Sequence, residues 1–196
     1  LNVDHDRLIA SARRWVETMV VAHQLCPFAN RELQNDRVRF VVTDSTTEDK
    51  LLLALTEELR LLISDPSIET TLLIHHRVLL DFYTYNDFLQ VADGLLVDME
   101  LDGIIQIASF HPTYQFSGTK PDDAENYTNR SPDPMLHLIR ESSVARAIAE
   151  YPGVEHIPKR NIARLSALGA SAMKALLANC SAPNTVSVAK AKRDGS

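Results

Sequence analysis

Apolar residues recur at steps of three and four in three stretches of the chain, which is the spacing of one face of an α-helix. These stretches cover residues 6–25, about 46–64 and 85–99. Pro27 ends the first helix, because proline has no N–H to continue the hydrogen-bond ladder. Ser45 or Thr46 can cap the second helix with a side-chain oxygen.

Three short apolar runs, rich in β-branched residues, lie between and after these helices and predict strands. They cover residues 37–43, 70–75 and 104–110. Strands that alternate with helices predict an α/β fold with a small three- to four-stranded sheet and helical crossovers. A ferredoxin-like α+β arrangement, with a fourth strand within residues 113–119, stays open as the alternative.

The C-terminal part begins with a polar loop over residues 112–133. From Pro134 to about Glu150 the helical spacing returns, with Ser131 or Asp133 as its cap and proline in the first turn. A last helix is predicted over about residues 157–179, interrupted near 158–161. These two C-terminal helices complete one domain over residues 1–180, and residues 181–196 have no core pattern and predict a disordered tail.

Composition and charge narrow the function classes. The 196 residues are 45% apolar and 23% charged, and the formal net charge of −6 argues against a nucleic-acid partner, which needs a surplus of Lys and Arg. No apolar run reaches the roughly eighteen residues of a membrane span. The first residues lack the layout of a signal peptide, and the two cysteines, Cys26 and Cys180, lie far apart. We therefore expect no membrane partner and a cytoplasmic location.

Histidines stand where two of the predicted strands end. His75 and His76 close the second strand, and His111 follows the third. In open parallel sheets, ligands bind beyond the carboxyl ends of the strands. If these two strands are parallel neighbours, their histidines share one edge of the sheet. The polar loop 112–133 starts at this edge and can cover it, and long irregular loops often carry function.

The predicted helix after the loop carries His137 and Glu141, four residues apart and so on one helical face. With His111 they form a candidate ligand set for a divalent transition metal. Asp122 can supply a hard oxygen ligand or a base, and His111 can serve in acid–base catalysis. Each residue also has an interpretation without function. His137 and Glu141 can be an ordinary polar pair on a helix, Asp122 a solvated acid, and His111 a histidine that is hydrogen-bonded to backbone.

Other side chains in this stretch suit an anionic small molecule. Arg130 and Arg140 can pair a carboxylate or phosphate with their planar donors. Tyr114, Asn126 and Asn129 are further candidate binding residues, although the asparagines can equally fix turns in the loop. The glycines form neither G-x-G-x-x-G nor G-x-x-x-x-G-K, which argues against a nucleotide cofactor held in either way.

The motif FHPTYQFSGTKPDDAENYTNRSPDPMLHLIRE, together with CPFA at 26–29 and DFYTYNDFL at 81–89, resembles the bacterial family known as "domain of unknown function 1415". The similarity runs from about Leu8 to about Leu177. The resemblance implies a single-domain soluble protein. It implies no activity and no catalytic residues, so the functional predictions rest on residue chemistry.

Three hypotheses follow. The first is a metal-dependent enzyme acting on a small anionic substrate, with His111, Asp122 and Arg130 as catalytic residues. The second is a non-catalytic protein that captures haem or a small acid through Cys26 and the same histidines. The third is a structural or interaction domain whose histidines are satisfied in the core. Reaction, cofactor and oligomeric state stay open.

Overall fold

The computed structural model describes residues 5–151 and 153–182, and within them a four-stranded mixed sheet lies between two layers of helices, as the predicted α/β class requires. The strands are β1 (Val38–Val42), β2 (Thr70–Ile74), β3 (Ile105–Phe110) and β4 (Met135–Arg140). The helices are α1 (His5–Trp15), α2 (Ala29–Gln34), α3 (Glu48–Ser64), α4 (Phe82–Asp98), α5 (Glu141–Glu150), α6 (Ile157–Leu168) and α7 (Ala170–Ser181). A π-helical segment (Val16–Val21) continues α1, and short 3-10 helices cover Ala124–Thr128 and Val154–His156.

The strand order is β1-β2-β4-β3. β1 runs parallel to β2, and β4 runs antiparallel to both β2 and β3. The expectation that the second and third predicted strands are neighbours is therefore wrong, because β4 lies between them. β2 and β3 still point the same way, so their carboxyl ends share one edge of the sheet.

β4 is the largest difference from the sequence prediction. The predicted helix over 134–150 is wrong in its first half, where Met135–Arg140 is a strand, and α5 begins at Glu141 with no intervening loop. This is also the fourth strand, in place of the predicted segment 113–119. His137 consequently lies in the middle of the sheet, paired with Leu72 of β2 and Ala108 of β3.

Helix ends follow local capping chemistry. The predicted cap of α3, Ser45 or Thr46, is wrong: the side chain of Thr47 accepts a hydrogen bond from the backbone N–H of Lys50 at 3.3 Å, and α3 begins at Glu48. Asp81 accepts from the N–H of Thr84 at 3.0 Å, so α4 begins three residues before its predicted start. Both helices otherwise occupy the predicted stretches.

The last predicted helix is divided at a glycine. Gly169 has φ +82° and separates α6 from α7, because a left-handed backbone suits glycine and ends a helix. The predicted interruption near 158–161 is wrong, since Pro158 lies in the first turn of α6, where its missing N–H costs nothing.

Each face of the sheet has its own apolar core. The α3/α4 face packs α3 and α4 against the sheet. The α1/α7 face lies under α1, the π-helical segment, α6 and α7. Because side chains alternate along a strand, Leu136 and Leu138 of β4 enter the α3/α4 core, whereas His137 belongs to the α1/α7 face.

The structure bears on the predicted tail only at its first residues. Residues 183–196 of the predicted disordered tail lie outside the described residues, and Ser181 still belongs to α7. Among the helices that the structure describes, none is long and apolar enough to cross a membrane.

Candidate functional site

A cavity of about 350 Å³ lies on the α1/α7 face of the sheet, between the π-helical segment, residues 26–32 and α5. Its volume falls within the range of clefts that bind small molecules. Most of its wall is apolar, and it is partly open to solvent. The residues that line it include Trp15, Cys26, Thr70, Ala108, Phe110 and His137.

The cavity exists partly because a small residue of β3, Ala108, lies beside the imidazole ring of His137 in β4. Gln106, Ala108 and Phe110 alternate with Ile105 and Ile107, which pack into the α3/α4 core, and all three line the cavity on the other face. Ala108 is the register partner of His137, and its methyl group covers little of the imidazole. The floor of the cavity is therefore open above the ring of His137.

His137 is held in one orientation by Thr70 on the adjacent strand. The hydroxyl of Thr70 donates to the carbonyl of Leu138 at 2.6 Å, and its oxygen lies 2.6 Å from Nε2 of His137. Because a hydroxyl has a single hydrogen, Nε2 carries the ring proton and donates to Thr70. Burial lowers the pKa of His137 to about 4, so the ring is neutral at pH 7.

The other ring nitrogen of His137 is unused. Within the described residues Nδ1 has no hydrogen-bond partner, and it is not among the fully enclosed polar atoms. The ring lies inside the fold and lines the cavity, so the surface that it keeps faces the cavity. The cavity floor thus presents one oriented hydrogen-bond acceptor.

Aromatic rings form the wall beside His137. Trp15 and Phe110 pack edge to face with ring centroids 4.9 Å apart, and the ring of Phe110 lies 5.9 Å from that of His137. Trp15 is only 2% exposed, and its indole N–H has no acceptor among the described residues. This N–H is enclosed by protein atoms and is not exposed to the cavity.

Cys26 lines the same cavity after the turns that follow the π-helical segment. Burial raises the pKa of its thiol, against the opposing effect of hydrogen bonds from the backbone N–H groups of Phe28 and Ala29. The thiol is therefore protonated at neutral pH. Cys26 and His137 share the cavity, but His111, which the second hypothesis also includes, lies on the other face of the sheet. No hydrogen bond joins Cys26 and His137 within the described chain.

Charged residues near the cavity form a continuous chain of ion pairs. Arg31 contacts Glu32 at 2.8 Å and Glu150 at 3.3 Å; Arg37 contacts Glu32 at 3.5 Å and also Glu69; and Arg146 contacts Glu69 at 3.0 Å. The three arginines and three glutamates balance each other. This rim consequently offers no surplus charge to a ligand.

The predicted metal set is not assembled. His111 packs against Phe82 and Tyr85 on the α3/α4 side, whereas His137 lies on the opposite face of the sheet. Glu141 does not share a helical face with His137, because His137 lies in β4 and Glu141 is the first residue of α5. Over residues 5–151 and 153–182, no group of three His, Cys, Asp or Glu side chains is arranged to hold a metal ion.

The ring nitrogens of His111 both have partners. Nε2 lies 3.2 Å from the carbonyl of Leu79 and therefore donates to it, and Nδ1 accepts from the backbone N–H of Thr113 at 3.2 Å. Burial lowers the pKa of His111. The residue proposed as a catalytic acid or base thus connects the end of β3 to the segment before α4.

His75 and His76, the histidines that follow β2, lie on opposite faces of the sheet. His75 packs on Tyr85, which also contacts His111, so these two histidines do share the predicted edge. His76 points to the opposite face, where its Nε2 lies 3.5 Å from a carboxylate oxygen of Asp44.

The candidate asparagines hold the loop in place. Asn126 is fully buried; its oxygen accepts from the N–H of Phe116 at 3.0 Å and the hydroxyl of Thr119 at 2.9 Å. Its amide nitrogen donates to the carbonyl of Lys120 at 2.8 Å. Asn129 donates to the carbonyl of Ser109 at 3.1 Å and so joins the loop to β3.

The remaining loop candidates are also engaged or exposed. Arg130 donates to the carbonyls of Tyr114 at 3.0 Å and Pro121 at 2.7 Å. The ring of Tyr114 packs on Phe82 with centroids 5.0 Å apart. Asp122 is exposed and, together with Arg130, lines an open second cavity of about 530 Å³ between residues 80–83 and the loop.

Arg140 serves the end of a helix. Its guanidinium donates to the carbonyl of Leu62 in the last turn of α3, and to those of Asp65 at 3.1 Å and Ile68 at 3.2 Å. These carbonyls have no partner within the helix, and a cation is favourable at this end. The predicted substrate-binding role for Arg140 is replaced by one in which its donors bind the backbone.

Sequence reasoning missed Thr70, Ala108, Trp15 and Phe110 as residues of the cavity. Alternation along the strands is the one signal that groups Ala108 with Phe110. Thr70 and His137 meet through the register of β2 and β4, which no local pattern reveals.

The family model described as "Protein of unknown function (DUF1415)" matches residues 7–175. No curated protein and no solved structure matches the chain.

Proposed function

The chain belongs to the DUF1415 family of proteins of unknown function, and we propose that it binds a small, largely apolar molecule in the cavity beside His137. The observation that carries this proposal is an apolar cavity of about 350 Å³ with an oriented imidazole at its floor. An apolar cleft with a few placed polar groups and a residue of perturbed pKa is the usual form of a ligand site.

The volume supports a ligand of modest size. Protein interiors are close-packed and contain few voids larger than a water molecule, so an open space of this size needs a reason. It holds on the order of a dozen water-sized groups, at about 30 Å³ each. A haem macrocycle is far larger, and we therefore do not extend the proposal to haem.

The proposal places the protein in the cytoplasm. Cys26 and Cys180 are both free thiols, which suits a reducing environment. A metal is not included, because the ligand set that motivated it is not assembled among the described residues.

The test uses the single tryptophan of the chain, Trp15, whose fluorescence reports on the cavity that it lines. The probe is 4-tert-butyltoluene, an apolar molecule of about the required size. We expect saturable binding by the wild-type protein. Ala108→Leu, which fills the floor of the cavity, should weaken this binding at least roughly tenfold while the protein stays folded.

Ala149→Leu is the matched control, because it makes the same change at an exposed position of α5. It should bind the probe as the wild type does. The proposal is wrong if the wild-type protein shows no saturable response, or if Ala108→Leu binds the probe with unchanged affinity.

A further inference from the structure

We infer that the ligand of this cavity is an uncharged molecule whose hydroxyl group donates a hydrogen bond to Nδ1 of His137. This inference rests on the proposed function and specifies the class of ligand. It follows from the tautomer of His137, the balance of charges around the cavity and the apolar character of its wall.

The tautomer determines what His137 can accept. The hydroxyl hydrogen of Thr70 is used by the carbonyl of Leu138, so Nε2 of His137 must donate to the oxygen of Thr70. A neutral imidazole has one donor and one acceptor nitrogen. Nδ1 is therefore the acceptor, and a ligand that contacts it must bring a hydrogen.

The surroundings select a ligand without charge. Each arginine of the rim is already paired with a glutamate, so an anion finds no free cation there. A cation is also disfavoured as a ligand, because the cavity wall is almost wholly apolar and burying an unpaired charge is costly. A neutral donor is left, and this favours a hydroxyl over an ammonium group.

The apolar wall supports a hydroxyl in particular. The indole N–H of Trp15 has no acceptor among the described residues, but protein atoms enclose it, so a ligand in the cavity meets Nδ1 of His137 and not this N–H. A hydroxyl donates the one hydrogen that Nδ1 accepts and brings a single polar atom into a wall that is mostly apolar. An aliphatic or aromatic alcohol on an apolar body of about a dozen groups fits these requirements.

The experiment compares two ligands of similar shape by Trp15 fluorescence, excited at the red edge of the tryptophan absorption. One is 4-tert-butylphenol, which can donate and accept. The other is 4-tert-butylanisole, whose ether oxygen can only accept, so it cannot donate to Nδ1 of His137. We expect the wild type to bind the phenol roughly three- to tenfold more tightly, the size of one net hydrogen bond.

Two neighbouring threonines provide a matched pair of variants. Thr70→Val removes the acceptor of Nε2 and frees the ring to carry its proton on Nδ1, so the preference for the phenol should fall towards none. Thr71→Val makes the same change one residue later, on the opposite face of the sheet, at a buried hydroxyl that has no hydrogen-bond partner among the described residues. It should keep the wild-type preference.

The outcomes separate this inference from the proposed function. If 4-tert-butyltoluene binds but phenol and anisole bind equally, the inference is overturned and the cavity remains a ligand site. The inference is also overturned if 4-tert-butylbenzoate, the matched anion, binds most tightly, or if Thr70→Val keeps the full preference. Absence of any binding overturns the proposed function itself.

Discussion

His75 stacks on Tyr85 at the end of β2, with ring centroids 5.6 Å apart, and its Nδ1 donates to the carbonyl of Val78 at 3.0 Å. The ring is completely buried, and burial lowers the pKa of His75 to about 4. His137, on the other face of the sheet, has its pKa lowered to the same value by the same cause. The folded protein therefore holds two histidines neutral in separate cores.

These two histidines predict a loss of stability in mild acid. The unfolded chain binds a proton at each site below the ordinary pKa of 6.5, whereas the folded protein does so only near pH 4. Stability is fully present above about pH 6.5 and falls as the pH drops towards 4. Each pKa unit corresponds to about 1.4 kcal/mol, so each histidine contributes on the order of 3 kcal/mol to this loss.

His137→Phe removes one of these contributions. Between pH 7 and pH 4.5, the free energy of unfolding of this variant should fall by roughly 2–3 kcal/mol less than that of the wild type. Urea denaturation at the two pH values measures the difference. His75→Phe should flatten the profile to a similar degree, and equal slopes in wild type and both variants would contradict the prediction.

Arg140 predicts a large structural effect from one side chain. Arg140→Met removes the guanidinium that donates to the carbonyls of Leu62, Asp65 and Ile68, at and after the end of α3. A hydrogen bond from a charged group is worth about 1.5–3 kcal/mol, and a single nitrogen with two hydrogens serves all three acceptors, so their contributions do not add in full. We expect the free energy of unfolding to fall by roughly 2–4 kcal/mol. Arg60→Met, on the exposed surface of α3, is the control and should change it by less than about 0.5 kcal/mol.

The same variant separates this structural role from substrate binding. Because the side chain of Arg140 lies on the α3/α4 face, Arg140→Met should bind 4-tert-butyltoluene with the affinity of the wild type wherever it is folded. A loss of ligand affinity without a loss of stability would show that the guanidinium serves the ligand instead.

Asn126 predicts how the long loop is held. Asn126→Ala leaves the N–H of Phe116 and the carbonyl of Lys120 without their side-chain partner inside the protein. This should cost roughly 1–3 kcal/mol of stability and speed hydrogen exchange at residues 116–126 first. Asn86→Ala, at an exposed position of α4, is the control. Unchanged exchange at Phe116 in Asn126→Ala would contradict this role.

Much of the fold follows from the sequence because local signals agree there. The apolar stripes of α3 and α4 and the strand at 70–75 follow from spacing and propensity, whereas the cap of α3 is Thr47 and not the predicted Ser45 or Thr46. The predicted helix is wrong over residues 135–140 because a short apolar run fits either a helix or a strand. No turn separates Arg140 from Glu141, so the helical spacing of α5 is continuous in the sequence with the apolar residues of the strand.

The candidate site was less predictable because it depends on pairing between distant segments. The histidines at 75 and 111 meet near Tyr85 as their strand ends suggested, but both serve the packing of that edge. The contact between Thr70 and His137 requires the register of β2 with β4, across more than sixty positions of chain. Alternation identifies faces of strands, whereas only tertiary pairing decides which faces enclose a space.

The central position of β4 has a consequence for the order in which the molecule is made. β2 and β3 reach each other only through a strand that the ribosome delivers after both of them. Until residue 140 has emerged, each exposes an unpaired edge, and such edges promote association with other chains. Nascent chains stopped just before Met135 should therefore depend on chaperones, whereas those released past Arg140 can complete the sheet.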